Sequence, residues 1–489
     1  MTVDYNLVIL GGSLEARYAA EIAARQRARV ALVEPEGGVA RGLWGDAVRV
    51  QTLQHLMRIC RQGQQAQAAG LSWGDACSQP ELKPMAGWDW ASALVDYQSQ
   101  GRSLANLSAL GVDVVVGQGK FQPQPRLGVA VNGRVLRSAT YLLAPGSSPL
   151  QPAIDGLGTS DYLTVEQFFQ PTGLAQWPDQ LFVLGDDVRA VELAQLCRRL
   201  GIQVTLVVSS PHLLPMEDPE AAARVQYHLE AEGVQILTQA TVTQARSLDG
   251  KVWMQVGNRA IAADHLLVAA GRRPNLEELA LAPLELAADQ KGLRIDRLLR
   301  TSHPRIFACG AAVDAYPFAN VARYEAAIAV HNALSPIGLM RQRVNYHTVP
   351  WLIGTDPPLA RVGLTEAAAR QRHGTDVITV QQSFQLLDQA QISCDTTGWC
   401  KLITRRDGTL LGGHIVGPQA GELIGAIAQA LQQREKITTF SQMSHPHPSF
   451  MEVLGEAART WQQGRSRQHP NRLDLWETFY NWRRDWDQG

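Results

Sequence analysis

Two short glycine turns carry the residues best placed to do chemistry. The first, Gly11-Gly12-Ser13-Leu14-Glu15-Ala16, follows the apolar run "YNLVIL" and opens an Ala-rich stretch. A glycine at 11 allows a tight turn, and the position at 13 lets the backbone come close to a pyrophosphate. A helix starting there aims its positive end at the phosphates. Glu34 closes the next apolar run, about twenty residues on, where a carboxylate accepts hydrogen bonds from a ribose. The full pattern is G-x-G-x-x-G/A, so Ser13 stands at the second glycine and Ala16 at the third. Ser keeps the backbone amide, adds a hydroxyl donor and brings a Cβ into tight space. Gly11, Gly12, Ser13, Ala16 and Glu34 are therefore expected to hold a dinucleotide. The plainer alternative is a strand–turn–helix with no ligand.

The second turn, Gly185-Asp186-Asp187-Val188-Arg189-Ala190, has the same layout and the wrong charge. Asp187 stands at the second glycine. At about 4 Å and an effective dielectric near 20, two like charges repel by ~4 kcal/mol, roughly a thousandfold in affinity. The strand that follows ends Val207-Val208-Ser209-Ser210, with no acid for a ribose hydroxyl and no Arg for a 2′-phosphate. This unit is expected to keep its fold and lose its nucleotide, unless Arg189 or Arg198 offsets the acids.

Strand–turn–helix–strand units of this kind belong to parallel α/β sheets. The 489 residues are 45% apolar, enough for two to four domains at roughly 100–200 residues each. The net charge of −1 and the absence of a long basic block argue against nucleic acid as the main partner. Met1–Gly12 does not read as a signal segment, and no apolar run approaches the ~18 residues of a transmembrane segment, so a cytoplasmic protein is expected. Six cysteines are too few for a disulfide scaffold.

Further stretches follow the two turns in a set order: "YLLAPGSSP" (141–149), "HLLPMEDPE" (212–220), "DHLLVAAGRRPN" (264–275), "RIFACGAAVD" (305–314), "VPWLIGTDPPLARVGLTEAAAR" (349–370) and "HPHPSFMEVLGEA" (445–457). Together they resemble the pyridine-nucleotide–disulfide oxidoreductases, in the mercuric reductase and dihydrolipoamide dehydrogenase branch, from Tyr5 to about Ala458. The resemblance implies two Rossmann-like nucleotide-binding domains plus a C-terminal α+β dimerisation domain. Residues 1–150 and 271–340 would form an FAD-binding domain and 151–270 an NAD(P)-binding-like domain with a degraded site. Residues 341–460 would dimerise, and 461–489 would be a linker and an amphipathic helix. FAD is the implied cofactor, with Gly146, Gly310 and Ala311 at its site, whereas NAD(P)H is in doubt. The family's Gly-Asp is Gly310-Ala311 here, so a hydrogen bond to the ribitol is lost. Asp314 is a possible substitute.

In that family electrons pass from flavin to a cysteine pair. Counting from Gly37-Gly38, the two cysteine positions fall on Ala40 and Gly45. Disulfide exchange needs sulfur, so disulfide reduction at that position is not expected. Cys60, Cys394 and Cys400 lack the spacing and read as structural. The family's Lys–Glu pair beside the flavin matches Arg49 and Glu192, which keep both charge signs. His447 matches its general acid/base and Glu452 the carboxylate that orients it. The family supplies that His to the opposite subunit, which implies a homodimer. A metal site at His445 and His447 is the weaker reading, because no acid or Cys cluster adjoins them.

Residues 461–471 read as a polar linker. Beyond it Leu475, Phe479, Trp482 and Trp486 recur at helical spacing opposite Arg483 and Asp487. A helix over 472–487 would bind a protein partner or pack on its own body. The functions implied are a flavin oxidoreductase delivering electrons to a quinone, metal or protein, or a non-catalytic dimeric scaffold or sensor.

Overall fold

The computed structural model describes residues 3–36, 43–68, 70, 83–170, 177–289, 291–313, 316–467 and 470–486. Gly37, Gly38, Ala40, Asp314 and Asp487 lie outside the described residues. The chain forms two compact units: Met1–Pro215 with Gln226–Asn345, and Met216–Val225 with Tyr346–Gly489.

Unit 1 contains two parallel sheets. In the first, β1 (Tyr5–Leu10) lies between β2 (Val30–Glu34) and Ser138–Leu143, with Asp113–Val116 and Ile306–Ala308 at the edges. Leu7, Val8 and Ile9 are fully buried, because a central parallel strand is covered on both faces. Helix α1 (Leu14–Arg25) joins β1 to β2 and lays Ala16, Ala19, Ala20 and Ala23 into the core. This run of small side chains at helical spacing lets the helix sit close to the sheet. Helix α2 (Leu43–Ala68) follows and packs against α3 (Pro84–Gln100).

The second sheet runs Gln235–Leu237, Gln203–Val207, Gln180–Leu184, His265–Val268, Tyr162–Thr164, all parallel. Its glycine turn repeats the first atom for atom. Gly11 (φ +142°) donates to Val33 O, and a Cβ on it would lie 1.9 Å from Ala144 O. Gly185 (φ +139°) donates to Val207 O, and its Cβ would lie 2.0 Å from Ala269 O. Only glycine fits at either place.

Unit 2 is built on a five-stranded antiparallel sheet in the order Trp351–Ile353, Leu359–Gly363, Leu410–Val416, Trp399–Arg405, Val377–Ser383. Helix Ala420–Gln433 covers it with Leu423, Ile424 and Ile427. Buried Lys401 is ringed by Asp218 at 3.1 Å, Glu220 at 2.8 Å and Glu366 at 2.7 Å.

The expected linker is largely helix. Helix Glu452–Arg467 runs through it, because Val453, Leu454, Ala457, Ala458 and Trp461 share one buried face. Trp461 Nε1 also donates to Thr404 Oγ1 at 3.1 Å. A last helix spans Pro470–Trp486. Its Phe479, Trp482 and Trp486 are exposed and meet one another in tilted ring contacts. Among the described residues no helix is long and apolar enough to cross a membrane.

Candidate functional site

A cleft of about 610 Å³ opens in unit 1 where α1 begins. Ser13 and Glu15 form one wall, Pro145 and Gly146 another, and Trp44 and Ala311 line the remainder. A smaller hollow of about 280 Å³ adjoins it across Pro35, Pro145, Ser148 and Asn275. The sizes suit a small-molecule or cofactor site.

Gly11, Gly12, Ser13 and Ala16 form the turn as expected, but the Ser13 hydroxyl is not a free donor. It caps α1 by accepting from Ala16 N at 3.2 Å and donates its one proton to Ala144 O at 2.9 Å. Gly146 (φ +72°) turns the chain opposite it, 3.5 Å being left between a Cβ there and Ser13 Cβ. Glu34 is buried, and its two oxygens accept from Arg17 Nε at 3.1 Å and Nη2 at 2.7 Å. Arg17 Nη1 donates to Arg102 O at 3.0 Å. Each Glu34 oxygen keeps a lone pair for a further donor. Gly310 (φ +64°) donates its amide to buried Glu325 at 2.7 Å.

Gly45 also lines the cleft, and the residue after it begins an ionic network. Asp46 is 1% exposed, 3.7 Å from Arg49 Nη1 and 3.6 Å from Arg189 Nη1. Burial pushes its carboxyl up, against the pull of Arg189, Arg272 and Arg49. Arg189 reaches Glu166 at 3.5 Å, and Arg272 pairs with Glu166 while bonding Ser147 Oγ at 2.6 Å. Arg49 thus meets an acid one turn earlier on its own helix and lies over Phe169. Glu192 is buried on helix Val188–Arg199, which packs against α2 through Arg199 and Gln54. Asp46, Glu166 and Arg272 were not legible in the sequence, because their partners lie on separate segments of the chain.

At the second glycine turn Asp187 caps its helix, accepting from Arg189 N at 2.9 Å, and pairs with Arg189 Nη2 at 2.6 Å. The Arg189 charge holds the Asp187 carboxyl below the usual range despite its burial. Asp186 accepts from Ser209 Oγ at 2.5 Å and Ser210 Oγ at 2.8 Å. Arg198 instead donates to Glu232 O at 2.9 Å, so of the two arginines Arg189 is the one that offsets the acids. The carboxylates of Asp186 and Asp187 are thus both engaged by side chains of the protein itself.

In unit 2, His447 Nδ1 lies 3.1 Å from Glu452 Oε1, and the other Glu452 oxygen accepts from Ser449 N at 3.0 Å. That amide, and then His447, keep the Glu452 carboxyl below its ordinary range. Asp388, which the sequence did not single out, lies 3.5 Å from His447 Nε2. The ring is exposed, with an anchored carboxylate on one nitrogen. His445 Nε2 bonds Phe440 O at 2.8 Å, and among the described residues no group of three or more ligands could hold a metal.

The family model described as pyridine nucleotide-disulphide oxidoreductase matches residues 5–326, and the dimerisation domain of the same family matches 349–458. The chain belongs to this family. Mercuric reductase of Streptomyces lividans is 32% identical over 94% of this chain and 96% of its own length. Mercuric reductase of Staphylococcus aureus is 31% identical over 94% of this chain and 82% of its own. Among solved structures, LpdA of Mycobacterium tuberculosis superposes with a TM-score of 0.82 at 26% identity, covering 93% of this chain and 99% of that one. The Cu(II) complex of the HOCl-induced flavoprotein disulfide reductase RclA of Escherichia coli shares the fold, with a TM-score of 0.79 at 22% identity over 94% and 100% of the two chains.

Members of this oxidoreductase family bind FAD, and the cleft fits it. The backbone from Gly12 to Glu15 and the turn at Pro145-Gly146 line a space of cofactor size, and Arg272 and Arg323 bring guanidinium groups to it. The family's sulfur is a different matter. Five cysteines are described and all are free: Cys60, Cys197, Cys309, Cys394 and Cys400. Burial pushes the Cys400 thiol up to about 12, and Cys197 and Cys309 are also raised by burial. None of those three is a thiolate at neutral pH.

Proposed function

We propose that this protein is a homodimeric, cytoplasmic FAD-dependent oxidoreductase that passes electrons to an acceptor other than a disulfide: a quinone, a metal or a protein. The observation that carries this reading is at position 45. There a glycine lines the cleft, and the neighbouring Asp46–Arg49–Arg189 network occupies the region where the family's sulfur chemistry is expected.

When bound, FAD supplies a ring that accepts and releases two electrons. Glu34, already oriented by Arg17, is placed to accept from a ribose hydroxyl. The start of α1 offers its amides to phosphate. Arg49 and Glu192 bring one charge of each sign to the facing helices. The Glu452 carboxylate on Nδ1 orients His447, so Nε2 would give or take a proton. By the family pattern this His serves the partner subunit. Asp187 and Asp186 support a donor that is not a nicotinamide. The exposed Phe479, Trp482 and Trp486 support a protein-docking role for the last helix.

The experiment is a visible absorption spectrum of the purified protein, followed by anaerobic mixing with NADH, NADPH and dithionite separately. The expected result is bound oxidised flavin, bleached by dithionite and left oxidised by both nicotinamides. Thiol titration before and after reduction should give the same count. A gain of two thiols would return the protein to disulfide chemistry. A colourless dimer that takes up no FAD would favour the scaffold, a reading supported by the two carboxylates at the second glycine turn.

A further inference from the structure

Position 311 is Ala where the family pattern has Asp, so the turn at Gly310 offers the cleft no carboxyl of its own. Another carboxyl lies against that turn. A Cβ built on Gly310 would fall 2.6 Å from Glu15 Oε1 and 3.1 Å from Glu15 Cδ. Glu15 and Ala311 both line the 610 Å³ cleft. Buried Cys309, one residue before Gly310, has its thiol raised first by burial and then by the charge of Glu15.

Glu15 forms no ion pair among the described residues. Arg272 pulls on it electrostatically, and that side chain is held by Glu166 and Ser147. The Ser13 hydroxyl proton is directed to Ala144 O, which takes it away from the nearby Glu15 carboxyl. Burial pushes this carboxyl above the usual range. A half-buried carboxyl facing a cofactor-sized space, with unused oxygen lone pairs, is a hydrogen-bonding group in want of hydroxyls.

We propose that Glu15 supplies the carboxyl missing at position 311 and binds the hydroxyls of the FAD polyol chain. The fold has moved the group from the turn to the first turn of the facing helix. This rests on the FAD reading above. The rival is electrostatic: a carboxylate at the start of α1 competes with the pyrophosphate. The two predict opposite signs for its removal.

The test is an FAD titration of the full-length apoprotein by quenching of flavin fluorescence, for wild type, Glu15→Ala, Glu15→Gln, Ala311→Asp and the double variant Glu15→Ala/Ala311→Asp. Losing one charge-assisted hydrogen bond should weaken binding about 10- to 100-fold in Glu15→Ala. Glu15→Gln, which keeps the shape and one acceptor, should fall between, and it stands in if the Ala variant does not fold. The double variant should return to within about threefold of wild type. Equal or tighter binding by Glu15→Ala, or a folded double variant no better than the single, overturns the proposal and leaves the FAD reading standing. Wild type and all variants binding no FAD would end both.

Discussion

Replacing Arg17 by Met tests the lock between α1 and β2. The Arg17 and Glu34 side chains are 10% and 3% exposed, and the guanidinium engages both carboxylate oxygens. Met retains most of the packing volume, so the substitution removes charge and donors rather than core. It strands the Glu34 carboxylate at the end of β2 and takes a donor from Arg102 O. Removing one partner of a buried pair costs about 3–5 kcal/mol. At 1.4 kcal/mol per tenfold, local opening should rise by about two to nearly four orders of magnitude. Hydrogen exchange followed by mass spectrometry on peptides covering β1 and β2 reads this directly, since their ladder runs from Leu7↔Val30 to Leu10↔Val33. The double variant Arg17→Met/Glu34→Gln removes the stranded charge and should recover most of the protection. A rise below tenfold in the single variant, or a double variant no better protected, would refute the lock.

Three other outcomes are expected. His447→Gln should lower turnover with a quinone about 10²–10⁴-fold without changing flavin content, and Glu452→Gln should lower it less; steady-state kinetics on protein of known flavin content checks both. Asp187→Gly should leave NADH binding unimproved by calorimetry, because Asp186 still holds Ser209 and Ser210, whereas Asp186→Gly/Asp187→Gly should improve it more than tenfold. His414, fully buried with Nε2 bonded to Leu364 O, is pushed by burial to about 4 from 6.5, with the nearby Arg361 adding to the shift. Its folded pKa is the lower one, so the unfolded chain binds more protons between those values. The stability of unit 2 should therefore be fully present above pH 6.5 and fall as the pH drops towards 4, by up to about 3 kcal/mol. Urea melts of wild type and His414→Gln across that range should show the steeper slope in wild type.

The frame of unit 1 was legible because it is written locally. A glycine that must pass a neighbouring carbonyl, an apolar strand before it and small residues on one helix face are all short-range signals. The special positions of the motif gave Gly11 and Glu34. The positions between them carry no such signal, and Arg17 and Glu15 are not legible there. Both sit in the first turns of α1, where a charged residue is ordinary, and nothing local says which faces inward. Asp46 is illegible for a related reason: the partner that makes its burial tolerable, Arg189, lies far along the chain. The polar stretch 461–471 reads from its composition as linker. The helix there is held by Trp461, whose hydrogen bond to Thr404 and buried face depend on a sheet distant in sequence.

On the proposed reading that the second fold holds no nucleotide, Asp186 and Asp187 would act as ligands attached to their own receptor, present at an effective concentration set by the chain rather than by the cell. A free dinucleotide in the millimolar range or below would have to displace groups whose local concentration is at least of that order and which cannot diffuse away. Raising cofactor supply would therefore do little, whereas removing the two tethered carboxylates would act at once. Laboratory evolution towards nicotinamide use should fix changes at 186 and 187 before any change at the strand end that recognises the sugar.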